Sequence, residues 1–289
     1  MKKIISLTAL TVLLSFSLFS EAQQVKTPAA SLKAEVEQMV GLTDVEYVYS
    51  RPNKKGRVIF GGLVPYGQVW RTGANENTTI KFGDDIEIDG KTIPKGKYAI
   101  YTIPYEDKWE IIFYSDSENW GTPEKWDNNK VVLKTTVPVK KLAESVESFT
   151  IGINNLSDNS AHLQFMWDQV LVDVTFNVPT QKIANASIDG ILSNPRADAN
   201  AYYASANYYL QSNGDMKKAL NWINRAIELK QGESPYWFFK VKSQIQAKLG
   251  DIKGAIESAE KSLEGAQKEG NKDYIKINTE AIKEWKKIL

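Results

Sequence analysis

The chain of 289 residues contains no cysteine and a single histidine, His162. The first absence removes thiol nucleophiles, thiolate zinc, iron–sulfur clusters and disulfides, so the fold must be held by burial, for which a chain of this length suffices. With one imidazole, a cage of several histidines around a metal is impossible. Charge of one sign is missing too: 36 Lys and Arg face 35 Asp and Glu, a formal net charge of +1. Residues up to 180 are slightly acidic in sum and those beyond slightly basic, and neither part has the positive excess that nucleic acid demands. There is no glycine-rich phosphate cradle and no Gly-x-Ser-x-Gly elbow to give His162 a nucleophile. No cofactor and no metal are expected.

One apolar run stands out, at the start: MKKIISLTALTVLLSFSLFSEAQQ. Lys2 and Lys3 precede Ile4 to Phe19, and Ser20-Glu21-Ala22 places small residues where a signal peptidase needs them, so residues 1–22 read as a cleaved signal peptide. No later segment is apolar and long enough to cross a bilayer. The expected address is outside the cytoplasm, periplasmic or extracellular.

The hydrophobic period divides the remainder. From 23 to 180 it is two. Val45-Tyr47-Tyr49, Trp109-Ile111-Phe113, Val131-Leu133-Thr135-Val137, Phe149-Ile151-Ile153, Leu163-Phe165-Trp167 and Val170 through Val178 all alternate with polar neighbours, as half-buried strands do. Asp89-Gly90, Pro104 to Asp107 and Ser157 to Ser160 are turn signals between them. Ser31 to Val40 reads as a further edge strand. The pattern predicts an all-β sandwich or barrel. From 181 to 289 the period is helical: Ala219, Ile223 and Ala226 share one face. Gly214-Asp215 and Gly250-Asp251 open two similar stretches thirty-six residues apart, with Tyr203 and Phe239 at matching aromatic positions. That spacing predicts an all-α, tetratricopeptide-like helical repeat domain with Asn271 to Leu289 as its closing helix.

Between the second and third strand-like runs lies SRPNKKGRVIFGGLVPYGQVWRTGANENTTIKF, Ser50 to Phe82. It resembles the signature of a family of exported bacterial proteins classed only as a domain of unknown function. IPKGKYAIYTIP, WEIIFYSDSENWG and LSDNSAHLQFMWDQV follow in the same order, so the resemblance spans Leu42 to Pro179. It implies a β domain, export and often a trailing helical repeat. It implies no activity.

The chemistry within that motif is nonetheless specific. Its glycines and Pro65 restrict the chain to one path, which Val69 and Trp70 would anchor to the core. Arg51, Lys54, Lys55, Arg57 and Arg71 supply positive charge, and Tyr66 and Trp70 supply flat apolar faces. Asn75 and Glu76 can cap turns or pair with the Arg71 guanidinium. Trp120, in the loop Trp120-Gly121-Thr122-Pro123, is a further candidate contact. Such a surface suits a glycan, a peptide or a small anion, with the helical repeats available to a protein partner.

Other signals weigh less. Asp85, Glu87 and Asp89 mimic the start of a calcium loop, but Gly96 stands where its bidentate Glu belongs, and Asp89-Gly90 reads as a hairpin turn. Asp107, Glu110, Asp116, Glu118 and Glu124 lie near Trp109, Trp120 and Trp126 without a spacing that identifies a catalytic pair. His162 reads as facing solvent from a strand. The expectation is an exported, non-catalytic binding or scaffold protein; the alternatives are a carboxylate-dependent glycan hydrolase and a purely structural envelope protein.

Overall fold

The computed structural model describes residues 27–230 and 235–289, so the signal peptide expected at 1–22 lies outside the described residues. The first part holds strands β1 (Leu32–Val40), β2 (Thr43–Arg51), β3 (Thr78–Phe82), β4 (Ile86–Ile88), β5 (Lys91–Ile93), β6 (Gly96–Pro104), β7 (Lys108–Tyr114), β8 (Val131–Pro138), β9 (Lys140–Asn154) and β10 (Ser160–Asn177). They form two antiparallel sheets, ordered β1-β2-β3-β6-β7-β8 and β5-β4-β10-β9. Both contribute to one core: Val45, Tyr47, Ile80, Phe82 and Phe113 from the first meet Phe149, Phe165, Val174 and Phe176 from the second. This is a sandwich, and Asp89-Gly90 forms the two-residue hairpin between β4 and β5, with Ile88 paired to Lys91.

β10 is extended over 18 residues but is not straight. His162 Nδ1 lies 2.9 Å from Asp173 Oδ2, and Val178 N donates to Asn159 O at 2.8 Å. Residues eleven apart in a straight strand would be roughly 36 Å apart. The two halves therefore run side by side and reverse at Asp168-Gln169, where Asp168 has φ 50°. The reversal explains the switch of buried positions from Leu163, Phe165 and Trp167 to Val172, Val174 and Phe176. β9 wraps the tip. Its start pairs Lys140 with Leu171, its end pairs Ile153 with Leu163, and between them Ser145 Oγ donates to Asp168 Oδ1 at 2.8 Å.

β6 departs from alternation. Tyr98 through Thr102 are all buried, because a second cluster of Ala99, Tyr101, Ile112 and Tyr114 packs under Val69 and Trp126 on the outer face of the six-stranded sheet.

Six helices follow among the described residues: α1 (Thr180–Leu192), α2 (Ala199–Gln211), α3 (Met216–Leu229), α4 (Tyr236–Lys248), α5 (Ile252–Glu269) and α6 (Lys272–Trp285). α2 packs on α3 and α4 on α5. Asp215 caps α3 through Lys217 N and Lys218 N, and Asp251 caps α5 through Gly254 N, each satisfying otherwise orphaned amides. Ala219, Ile223 and Ala226 are fully buried, as are Ala255, Ala259 and Ser262. Phe238 stacks on Tyr203 at 4.5 Å, while its neighbour Phe239 is only half-buried and lies under the Lys261 ammonium.

Candidate functional site

Residues 52–77 leave β2, cross one end of the sandwich and return as β3. They contain little regular structure but many bonds. Gly61 N donates to Val64 O, Gly67 N to Pro104 O, and Trp70 exchanges two backbone bonds with Thr102 on β6. Ile59 and Val64 are buried beneath. Trp70 enters the core edge, stacked on Trp167 at 5.9 Å and edge-on to Phe149, Trp109 and Phe60. Its Nε1–H donates to Gly73 O at 3.1 Å. Val69, one residue earlier, points to the other side and joins the outer cluster, so the two anchors expected of this stretch grip opposite faces.

Thr72 has φ 58°, a conformation costly for a β-branched residue. It is fully buried, and its hydroxyl is fixed by Thr102 Oγ1 and Trp70 O. Backbone strain held by dedicated bonds recurs at binding sites. Here it turns the chain between Trp70 and the residues that follow.

Beside Trp70 opens a cavity of about 680 Å3, within the range of small-molecule sites. Trp70, Trp167, Val64 and Leu63 give it an apolar floor, and Lys55, Arg57, Arg71, Asn53 and Asn75 polar walls, with Trp120 at the lip. Its lining holds three cations and no carboxylate. Six of the nine residues expected from sequence thus converge: Lys55, Arg57, Trp70, Arg71, Asn75 and Trp120. Trp120 is 74% exposed.

Three do not. Arg51 is a cross-sheet tie, donating from Nε to Phe149 O at 3.1 Å and from Nη2 to Thr150 Oγ1 at 2.9 Å. Tyr66 folds over Gly61 and leaves the cavity wall to Leu63. Glu76 faces a neighbouring cavity and makes no pair with Arg71; that guanidinium instead donates from Nη1 to Asn75 O at 2.8 Å. The carbonyl wins because Asn75, at φ 60°, turns its backbone back toward Arg71. Arg57 is also partly engaged, with Nε on Lys54 O and Nη2 on Asn53 O. Lys55 is held through its backbone N by Glu147 Oε1, and its ammonium makes no hydrogen bond or ion pair among the described residues. Lys54 is spent elsewhere, on Asp168 at 2.5 Å.

Comparison with protein families matches residues 31–176 to "Protein of unknown function (DUF2911)". That is half of the chain. The chain belongs to the DUF2911 family. No curated protein and no solved structure matches it. The match takes in β1 as well as the motif-bearing stretch, so the DUF2911 domain is the sandwich, and the cavity is built from DUF2911 residues with Ala30 at its edge.

Trp167 and Asn53 are cavity residues of the DUF2911 domain that sequence reasoning did not single out. Trp167 alternates with Leu163 and Phe165 as any core residue does, and nothing in that period shows that this buried ring lies behind Trp70 at a cavity. Asn53 sits in the same motif as Arg51, which was the available signal; its Oδ1 accepts from Ser148 Oγ at 2.6 Å.

Three of the five acids near the tryptophans are engaged by lysines. Glu110 meets Lys134, Asp116 meets Lys130 and Glu118 meets Lys97. The Lys130 contact holds Asp116 below the usual carboxylate range, and the Lys97 contact does the same for Glu118. Trp109 is buried core. His162 is not freely solvent-facing: Asp173 on the return arm of β10 takes its Nδ1, and Thr175 Oγ1 lies 3.4 Å from Nε2. Burial opposes ionisation of Asp173, yet His162 and Lys140 together keep it below its ordinary value. Among the described residues no group of three or more His, Asp or Glu is placed to hold a metal.

Arg71 is backed by Gly121, where an added Cβ would sit 2.9 Å from Nη1. Gly121 O in turn accepts from the buried Tyr101 hydroxyl at 3.0 Å. Burial, reinforced by Tyr114, pushes the Tyr101 phenol from 10.0 up to about 12. A folded value above the unfolded one stabilises the neutral phenol; that contribution is complete below pH 10 and is lost as pH rises toward about 12. The stability of the wild type relative to Tyr101→Phe is expected to fall by roughly 2 kcal/mol between pH 9 and pH 12. Urea midpoints of the two proteins across that range measure it; parallel curves refute it.

Proposed function

We propose that the protein is an exported, non-catalytic binding protein whose β domain takes a small anionic ligand with a flat apolar face. The observation that carries this is the cavity lining: Lys55, Arg57 and Arg71 around an indole floor, with no carboxylate to neutralise them. An anionic group satisfies the unspent guanidinium donors of Arg71 and the ammonium of Lys55, while a flat face lies on the half-buried Trp70 indole, which Trp167 backs from the core. The same lining disfavours a two-carboxylate hydrolase at this site. The helical part is read as two tetratricopeptide-like repeats, supported by the shared aspartate caps of α3 and α5, and serves contact with a protein partner.

Glucuronate and benzoate are expected to raise the Tm of the mature protein in a concentration-dependent way, more strongly at low salt. Lys55→Ala, which removes no side-chain hydrogen bond or ion pair among the described residues, should weaken both about tenfold, and Arg71→Gln should do so more. No shift with either anion, or shifts that survive both substitutions, would leave the loop a packing element of a structural protein.

A further inference from the structure

A second cavity, of about 330 Å3, adjoins the first on the outer face of the six-stranded sheet. Consecutive residues divide them: Asn75 lines the first and Glu76 the second, and the Trp120 indole lines both. The partition is fixed, since Asn75 Nδ2 donates to Ser31 O and to Ser50 Oγ, each at 3.2 Å.

The two cavities differ in chemistry. The first sums to three positive charges. The second sets Lys33 and Lys97 against Glu76 and Glu118 and is neutral in sum. Lys97 and Glu118 are already paired, whereas Glu76 makes no hydrogen bond or ion pair among the described residues. Asn77 at its floor is 5% exposed; its Nδ2 donates to Ser117 O at 3.2 Å, and its Oδ1 has no partner among the described residues. A buried acceptor left unpaired is costly, so this one calls for a donor. Ser50, Thr79, Ser117 and Asn119 add further hydroxyl and amide groups.

Resting on the binding reading above, we propose that the second cavity is a subsite of the same ligand, and that the ligand is an acidic oligosaccharide. Its uronic acid occupies the first cavity and the adjoining neutral sugar the second. Neutral charge with spare acceptors fits hydroxyl groups better than a second ion, because an ion would leave the paired lysine and glutamate unbalanced. The exposed indole of Trp120 provides an apolar platform for the C–H face of a sugar crossing from one cavity to the other. The sign change, from cationic to acceptor-rich, sets the direction of the chain.

Titration calorimetry with glucuronate and with cellobiouronate, a glucuronate joined to one glucose, separates the possibilities. Cellobiouronate is expected to bind at least about tenfold tighter. Glu76→Gln and Trp120→Ala, both at exposed side chains, should each erase most of that gain. Equal affinity for the two acids, or a gain that survives both substitutions, overturns the subsite while the anion site stands. A dipeptide that gains through Glu76 where the disaccharide does not would assign the cavity to an ammonium group and overturn the sugar. If neither acid binds the wild type, the anion site fails and this inference with it.

Discussion

Trp70→Ala is expected to destabilise the β domain by about 3–4 kcal/mol, within the range for large-to-alanine changes where neighbours cannot close the gap. The neighbours are rigid: Trp167, Trp109 and Phe149 are buried side chains on separate strands of both sheets. Their rings lose a partner together, and each such contact adds roughly 1 kcal/mol beyond burial. The indole also holds the loop, through its bond to Gly73 O. Trp70→Phe keeps an aromatic ring and loses that donor, so it should cost about 1 kcal/mol. Urea midpoints read by circular dichroism give both values. If the alanine variant unfolds within 1 kcal/mol of wild type, Trp70 is a surface ring and the loop is held by its backbone bonds.

The second large effect lies at the junction between the two halves. Gly41, in the tight turn between β1 and β2, has φ 56°, and a Cβ there would collide with the Asp158 carbonyl and the Thr180 hydroxyl. Those two groups are bonded to each other, and Thr180 begins α1. Gly41→Ala therefore adds the cost of a left-handed alanine, about 1–2 kcal/mol, to overpacking against backbone, about 1–3 kcal/mol. The sum should lower stability by roughly 2–5 kcal/mol. Gly41→Asn separates the causes. Asparagine tolerates the dihedral angle but still carries a Cβ, so a loss equal to that of alanine assigns the effect to crowding by Asp158 and Thr180. Full rescue by asparagine would show that this close approach is dispensable.

Strands with one wet face were legible because alternation records burial on one side. β2 and the end of β9 follow that rule, whereas β7 keeps it only up to Ile111, beyond which Ile112 and Tyr114 are buried in the outer cluster. β6 was not readable in this way, since the loop bearing Trp126 covers its outer side and removes the polar half of the pattern. The two arms of β10 appeared as separate alternating runs, but their reversal at Asp168-Gln169 carries no glycine or proline to announce it. The site was legible to a similar depth. The motif dense in cations and aromatics contributes five of its candidates, Lys55, Arg57, Trp70, Arg71 and Asn75, to one cavity, with Trp120 joining from another loop. Local sequence cannot tell which guanidinium is spent on a carbonyl across the sheet, as Arg51 is, and which keeps donors free, as Arg71 does.

The sequence by itself determined the change of period near residue 180, the aspartate-capped helices, the hairpin at Asp89-Gly90 and the composition of the loop. Each depends on contacts within a few residues, where dihedral preference and side-chain period act directly. Tertiary structure decided the rest: that Trp70 and Trp167 share one floor, that Glu76 turns away from Arg71, and that Trp120 stands between two cavities of unlike charge. Those relations join residues dozens of positions apart. They are set by how two sheets and a covering loop fill space, a condition no local pattern encodes.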